Sequence, residues 1–175
     1  MFTVLFEGVD CSGKSTLRAQ FEKFTRYKYV TMDRGHISVF VYGTERFRTA
    51  VKAMRDADIL LCQKTTLDLL DLCGTLENMQ DHLVIVRVVA SDNTIMSRVG
   101  ATQHQPFDLA THKALFALAF DTLHTIAPNV SIIEINTSVV DYSHDNAINA
   151  ILERIDALQQ NELNITEGSV HHEGE

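Results

Sequence analysis

Apolar residues along the chain change their spacing several times, and each change predicts an element. Thr3-Val4-Leu5-Phe6 is a short β-branched and aromatic run closed by glycine, which reads as a strand. From Lys14 to Thr25 the spacing turns helical through Leu17, Phe21 and Phe24. Tyr27 to Met32 reads as a second short strand, stopped by the charged pair Asp33-Arg34. Between Ile37 and Leu76 apolar positions recur at three and four, through Phe47, Val51, Met54, Leu60, Leu61, Leu67 and Leu70. With Gly43 and Gly74 as breaks, this predicts two or three helices.

Leu83 to Val89 is a near-continuous β-branched run, the pattern of a central parallel strand covered on both faces. Ser91 is a suitable N-cap for a helix from Asp92 to Val99 that Gly100 would end, with a polar loop at Ala101 to Pro106. A helix from Phe107 to about Ile126, a break at Pro128-Asn129 and a strand from Val130 to Ile135 follow. A last helix, Asp145 to Leu158, carries Ile148, Ile151, Leu152, Ile155 and Leu158 on one face. Strand and helix therefore alternate, which predicts an α/β fold: a three-layer, doubly wound arrangement with a mostly parallel central sheet of four to five strands and helices on both faces. Ligands of such folds bind beyond the carboxyl ends of the strands. Residues 1–160 read as one domain, and the polar, Glu- and Gly-containing stretch 161–175 reads as a flexible tail.

One motif stands at such a strand end. Gly8-Val9-Asp10-Cys11-Ser12-Gly13-Lys14-Ser15-Thr16 satisfies G-x-x-x-x-G-K-[ST], directly after a strand and opening a helix. The glycines permit a tight turn, successive backbone N–H groups converge on phosphate oxygens, and the helix N-terminus adds positive potential. Lys14 would then reach β and γ phosphates, and Ser15 would offer its hydroxyl to Mg²⁺.

Bulk properties narrow the partners. A chain of 175 residues, 45% hydrophobic, suffices for one well-buried core. A net charge of −8 without a clustered Lys/Arg run speaks against nucleic acid as a partner, whereas a small anionic nucleotide needs only a local positive pocket. Cys11, Cys62 and Cys73 form no C-x-x-C pair and fit a reducing cytosol. No apolar run approaches 18 residues, and a phosphate loop starting at residue 8 leaves no room for a signal peptide, so a cytoplasmic protein without a membrane partner is expected.

The run Phe6 to Thr16 closely resembles the F-E-G-x-D-x-x-G-K-S-T loop of thymidylate kinases and related deoxynucleoside kinases. Asp33-Arg34 with Ser38 and Val41-Tyr42-Gly43 is similar to the D-R-x-x-x-S-x-x-V-Y pattern of small, phage-type members. Ile135-Asn136-Thr137-Ser138 is a weaker echo of the loop that lines the adenine pocket.

The resemblance implies a P-loop kinase fold and a deoxynucleoside monophosphate kinase using ATP and Mg²⁺. It implies donor contacts from Gly8, Asp10, Cys11, Ser12, Gly13, Lys14, Ser15 and Thr16, and a metal site at Ser15 and Asp33. Arg34 would grip the acceptor phosphate, Asp10 would face the acceptor sugar, and Tyr42, Arg46 and Phe47 would line the acceptor side. Glu7 corresponds either to a general base towards a 5′-hydroxyl or to a supporting carboxylate, which leaves a nucleoside kinase as the alternative acceptor class. The lid, expected at about 98–107, departs from the family by its shortage of arginine. Arg98 is its candidate for the transferred charge, and an arginine-poor lid keeps open a weakly catalytic nucleotide-binding protein. A homodimer through the helices between Ile37 and Leu76 is also implied.

Overall fold

The computed structural model describes residues 2–102, 108–140 and 142–170, excepting the side chains of 102 and 162–170. Four strands, β1 (Thr3–Glu7), β2 (Val30–Asp33), β3 (Leu83–Val89) and β4 (Ser131–Asn136), form one parallel sheet in the order β2-β1-β3-β4. Six helices connect and flank them: α1 (Lys14–Phe24), α2 (His36–Val51), α3 (Ala57–Glu77), α4 (Asp92–Thr102), α5 (Leu109–Ile126) and α6 (His144–Val170).

Period-two alternation in the strands sorts the core into two layers. Val4 and Phe6 of β1 with Val84, Val86 and Val88 of β3 face Leu17 and Phe21 of α1 and Ile148, Ile151 and Ile155 of α6. Leu5, Leu83 and Ile85 point the other way, onto Ile37 and Val41 of α2, Leu72 and Leu76 of α3, and Phe116 and Leu123 of α5. This is the three-layer α/β architecture that the alternation of elements predicts. Because β1 connects first to β2 on one side and the chain then crosses to β3 on the other, the strand order reverses beside β1, where a crevice opens at the carboxyl ends.

Several boundaries differ from the sequence expectation. The sheet has four strands among the described residues. Gly43 and Gly74 do not break helices but lie inside α2 and α3, where a Cβ would meet nothing within 4 Å. The interruption falls instead at 52–56. A mid-helix glycine costs only about 1 kcal/mol, which the packing of α2 against α3 overrides. Helix α4 likewise runs through Gly100 to Thr102, with Ser91 Oγ capping the Thr94 amide as expected. The first strand after α1 starts only at Val30, because Arg26 and Tyr27 take left-handed backbone angles that end the helix.

Helix α5 starts at Leu109 behind an Asp108 cap, and of the expected lid the part 103–107 lies outside the described residues. The last helix continues to Val170, so the backbone of 161–170 is helical where a tail is expected, no proline or glycine interrupting it before Gly168. Residues 171–175 lie outside the described part. Among the described residues no helix is long and apolar enough to cross a membrane.

Phe21 is fully buried between Phe6 and Tyr29, with ring centroids at 5.9 and 5.7 Å. Phe21→Ala should cost about 3–5 kcal/mol in urea unfolding. A loss below about 1 kcal/mol would show that α1 is not seated on the sheet through this ring.

Candidate functional site

The chain leaves β1 under tight steric control. Gly8 has φ +149, and a Cβ there would lie 2.3 Å from the Val88 carbonyl oxygen, so β3 passes too close for any side chain. Gly13, at φ +101, is the N-cap of α1. The helix's first N–H groups have no intrahelical partner and are available to an anion.

Between the two glycines the loop curls around Lys14, whose Nζ donates to the Val9 carbonyl at 3.2 Å and to Asp10 Oδ1 at 3.4 Å. A cavity of about 490 Å³ opens over this turn, lined by Asp10, Cys11, Gly13, Lys14, Ser15 and Thr16 of the loop and by Arg34, Arg98, Thr137, Tyr142 and His144.

Parallel pairing of β1 with β2 sets Phe6 opposite Asp33, so the second charged turn ends beside the loop. Ser15 Oγ donates to Asp33 Oδ2, while Asp33 Oδ1 is buried without a hydrogen-bond partner among the described residues. One hydroxyl on the cavity wall and, bonded to it, one carboxylate with a spare oxygen form a hard-oxygen donor set that fits Mg²⁺. Among the described residues there is no cluster of three or more His, Cys, Asp or Glu able to hold a metal alone, so such an ion would need phosphate oxygens as well.

Arg34 follows in a left-handed conformation, φ +63, and its Nη2 donates to Asp10 Oδ1 at 2.9 Å. Its guanidinium lies 5.6 Å from the centroid of the Tyr42 ring. Burial would raise the Asp10 carboxyl, but the Lys14 ammonium and the Arg34 guanidinium outweigh it and hold the group below the usual carboxylate range. Burial, with the same Asp10 charge alongside, pushes the Tyr42 hydroxyl above the ordinary phenol range.

Glu7 is fully buried, and its carboxylate accepts from the Ile37 amide at 3.1 Å, the Ser38 amide at 3.2 Å and the Ser38 hydroxyl. It therefore caps the start of α2 and ties it to the strand that carries the phosphate loop. It does not line the cavity. Burial pushes its carboxyl up to about 7, against the lowering effects of the Ser38 hydroxyl, the two amides and Lys14.

Arg98 sits inside helix α4, and its guanidinium is spent on the loop. Nη1 donates to the carbonyls of Cys11 at 3.2 Å and Ser12 at 2.8 Å and to Thr137 Oγ1 at 3.0 Å, and Nη2 to the Thr137 carbonyl at 3.3 Å. Thr137 Oγ1 itself donates to the Ser12 carbonyl at 2.6 Å. With that carbonyl turned towards Arg98, the planar trans peptide directs the Gly13 N–H to the opposite side.

The structure thus gathers Asp10, Lys14, Ser15 and Arg34 on one cavity, with Asp33 bonded to Ser15 and Tyr42 beside Arg34 but neither on its lining. It does not bring Phe47 or Arg46 there: Phe47 faces α3, with Lys64 Nζ 5.6 Å from its ring centroid, and Arg46 is exposed and lines no described cavity. Arg18, a further cation of α1, pairs with Glu22 at 3.5 Å.

Tyr142 and His144, edge to face at 5.2 Å, join the cavity wall although no sequence signal singled them out. Their position just past the end of β4 is the cue that could have found them.

No protein-family model and no curated protein matches the chain. Among solved structures it is similar to the YorR protein of Bacillus subtilis, crystallised in complex with phosphorylated GDP. That likeness has a TM-score of 0.56 at 17% identity and covers 90% of this chain and 98% of the other. It is also similar to the deoxyadenosine kinase of M. mycoides, with a TM-score of 0.46 at 11% identity over 89% and 100% of the two chains. The likeness to the first of these shows a shared parallel-sheet α/β fold.

Glu7 has a pH consequence. A folded-state value raised from 4.5 to about 7 means that the protonated form stabilises the fold fully below about pH 4.5, and that this contribution is lost as pH rises through about 7. Relative to Glu7→Gln, the wild type should lose stability across that window by an amount on the order of 3 kcal/mol. Chemical unfolding of both proteins at intervals between pH 4.5 and 8 measures it. A pH-independent difference would mean that Glu7 is not buried against α2.

Proposed function

We propose that the protein is an ATP- and Mg²⁺-dependent deoxynucleoside monophosphate kinase. One observation carries the reading: parallel pairing of neighbouring strands brings Asp33-Arg34 beside the loop, with Arg34 on the cavity over it and Asp33 bonded to Ser15. Phosphoryl transfer asks for in-line positioning and charge neutralisation rather than covalent chemistry from the protein.

In this reading Lys14 and the amides of the loop hold the donor's β and γ phosphates, with Cys11, Ser12 and Thr16 shaping the cradle. Ser15 and Asp33 would hold Mg²⁺, which would neutralise charge on the phosphates it touches. Arg34 holds the acceptor phosphate, for which a planar fork suits bidentate contact, and Asp10 orients Arg34 and the acceptor sugar. An acceptor phosphate oxygen forms the new bond to the γ phosphorus as the bond to the β–γ bridging oxygen breaks, and ADP leaves with that electron pair. Arg98 keeps the loop in shape. Thr137, Tyr142 and His144 border the donor's outer end.

A 5′-hydroxyl acceptor would need a general base, and the side chain aligned with that role, Glu7, is committed to the amides of α2. That favours a phosphate acceptor, which is already ionised. A homodimer is supported by exposed Ile59, Leu67 and Leu70 along α3. Sedimentation reading a monomer at micromolar concentrations would remove it.

The test is an assay of dTMP, dUMP, dGMP, dCMP, dAMP and the free nucleosides with ATP and Mg²⁺. Turnover of at least one monophosphate in preference to its nucleoside is expected, and turnover of nucleosides alone would hand the site to a nucleoside kinase. Lys14→Ala should lower kcat at least the roughly hundredfold typical of removing one charge-stabilising donor. Arg34→Ala should raise the acceptor's KM far more than that of ATP.

A further inference from the structure

Helix α5 presents an apolar stripe to the core, with Phe116, Ala119, Phe120 and Leu123 following one another at helical spacing. His112 occupies the first place on that stripe and is only 2% exposed. An imidazole there has to be desolvated and then matched with a partner, a cost an aliphatic residue would avoid. The match comes from α2: His112 Nε2 lies 2.6 Å from Glu45 Oε2. Only the His112 end of the pair is buried, Glu45 being half-buried, and an ion pair that carries a desolvation cost is weak evidence for stability, so stability alone does not account for it.

What the pair offers is direction. The His112 ring stands perpendicular to that of Tyr42, with centroids 5.1 Å apart. Tyr42 in turn is the ring beside which the Arg34 guanidinium rests. Arg34 is 53% exposed, and its one ion pair, to Asp10, is of a kind worth little on an open surface. A fixed aromatic neighbour limits the rotamers an exposed arginine would otherwise sample, which removes part of the ordering cost of binding an anion.

The His112 end of this chain is anchored. Asp108 caps α5 at the Thr111 amide, 3.0 Å away, and Arg48 Nη1 of α2 donates to Thr111 Oγ1 at 2.9 Å. The first turn of α5 is therefore closed by its own cap and tied to α2 through Arg48.

We propose that His112, held by Glu45, is a positioning residue for the acceptor site: it sets the Tyr42 ring against which Arg34 is poised. The proposal rests on the assignment of Arg34 to the acceptor phosphate made above. It makes the imidazole of α5, which lies outside the cavity lining, a support of acceptor affinity through Tyr42 and Arg34.

Calorimetric titration of the full chain separates the roles, using the five deoxynucleoside monophosphates without donor and, in parallel, Mg²⁺ with a non-hydrolysable ATP analogue. His112→Phe keeps a ring but loses the bond to Glu45. It should weaken the tightest monophosphate by about tenfold, the scale of re-freezing one or two long side chains, and leave the analogue within twofold. Glu45→Ala breaks the pair from its more exposed side and should behave alike if His112→Phe folds poorly. Glu45→Gln, which can still accept from Nε2, should stay near wild type.

On a Tyr42→Leu background His112→Phe should add nothing further, since it acts through that ring. Parallel weakening of both ligands, an unchanged monophosphate affinity, or full additivity with Tyr42→Leu would overturn the proposal. A wild-type protein that binds the analogue but none of the monophosphates overturns the acceptor reading itself, and the proposal with it.

Discussion

The whole site depends on the absence of one methyl group. Where β1 ends, the Val88 carbonyl of β3 stands in the place a Gly8 Cβ would take, so only glycine can follow Glu7. The turn that results places Lys14 and Ser15 in the first turn of α1 while Glu7, just before Gly8, remains in the sheet. From that buried position Glu7 reaches sideways to the amides of α2, which begins just after Asp33-Arg34. The loop and the second charged turn are consequently referenced to the same strand. Backbone geometry and one buried carboxylate set the two halves of the site side by side, and the Ser15–Asp33 and Asp10–Arg34 hydrogen bonds join them.

That arrangement has an electrostatic corollary. Glu7 is desolvated next to Lys14, and its ionised form is disfavoured by burial but favoured by two amides, a hydroxyl and the nearby ammonium. Asp10, less deeply placed, meets two cations and stays ionised. Burial is the largest single influence on both carboxyl groups, three residues apart, yet at Asp10 the two cations together reverse its outcome. The buried one acts as a structural cap, and the one at the cavity acts as a charge that orders Lys14 and Arg34. Environment, not residue type, separates their roles.

Much of this was legible in the chain because its determinants are local. The phosphate loop is read from consecutive residues, and the β-branched run Leu83 to Val89 from continuous apolarity. Asp33-Arg34 sits where a strand signal stops. The features that were not legible depend on contacts distant in sequence. Helical period alone cannot say which neighbour a face meets, so Phe47 looked like an acceptor contact although it faces Lys64 on α3. Gly43 and Gly74 look like stops because their helical penalty is visible in sequence while the packing of α2 on α3 that outweighs it is not. Arg98 looked like a lid charge because its partners, Cys11 and Ser12, lie more than eighty residues away. The pairing of His112 with Glu45 spans 67 residues and leaves no trace in either segment.

Arg98 bears on how so acidic a chain would admit the polyanions of the proposed reaction. A phosphate monoester carries about −1.5 to −2 at neutral pH, so two such groups approach each other only where donors face them. Lys14 and Arg34 share the carboxylate of Asp10, while Asp33 adds a second carboxylate beside Ser15, so side-chain charge alone does not set the sign of the site. Arg98 donates to the Cys11 and Ser12 carbonyls and to the hydroxyl and carbonyl of Thr137, which holds the carbonyl side of the loop against the wall. The N–H groups at the start of α1 are thereby left to the cavity, and such donors, fixed in place before any ligand arrives, need no closing segment to deliver them.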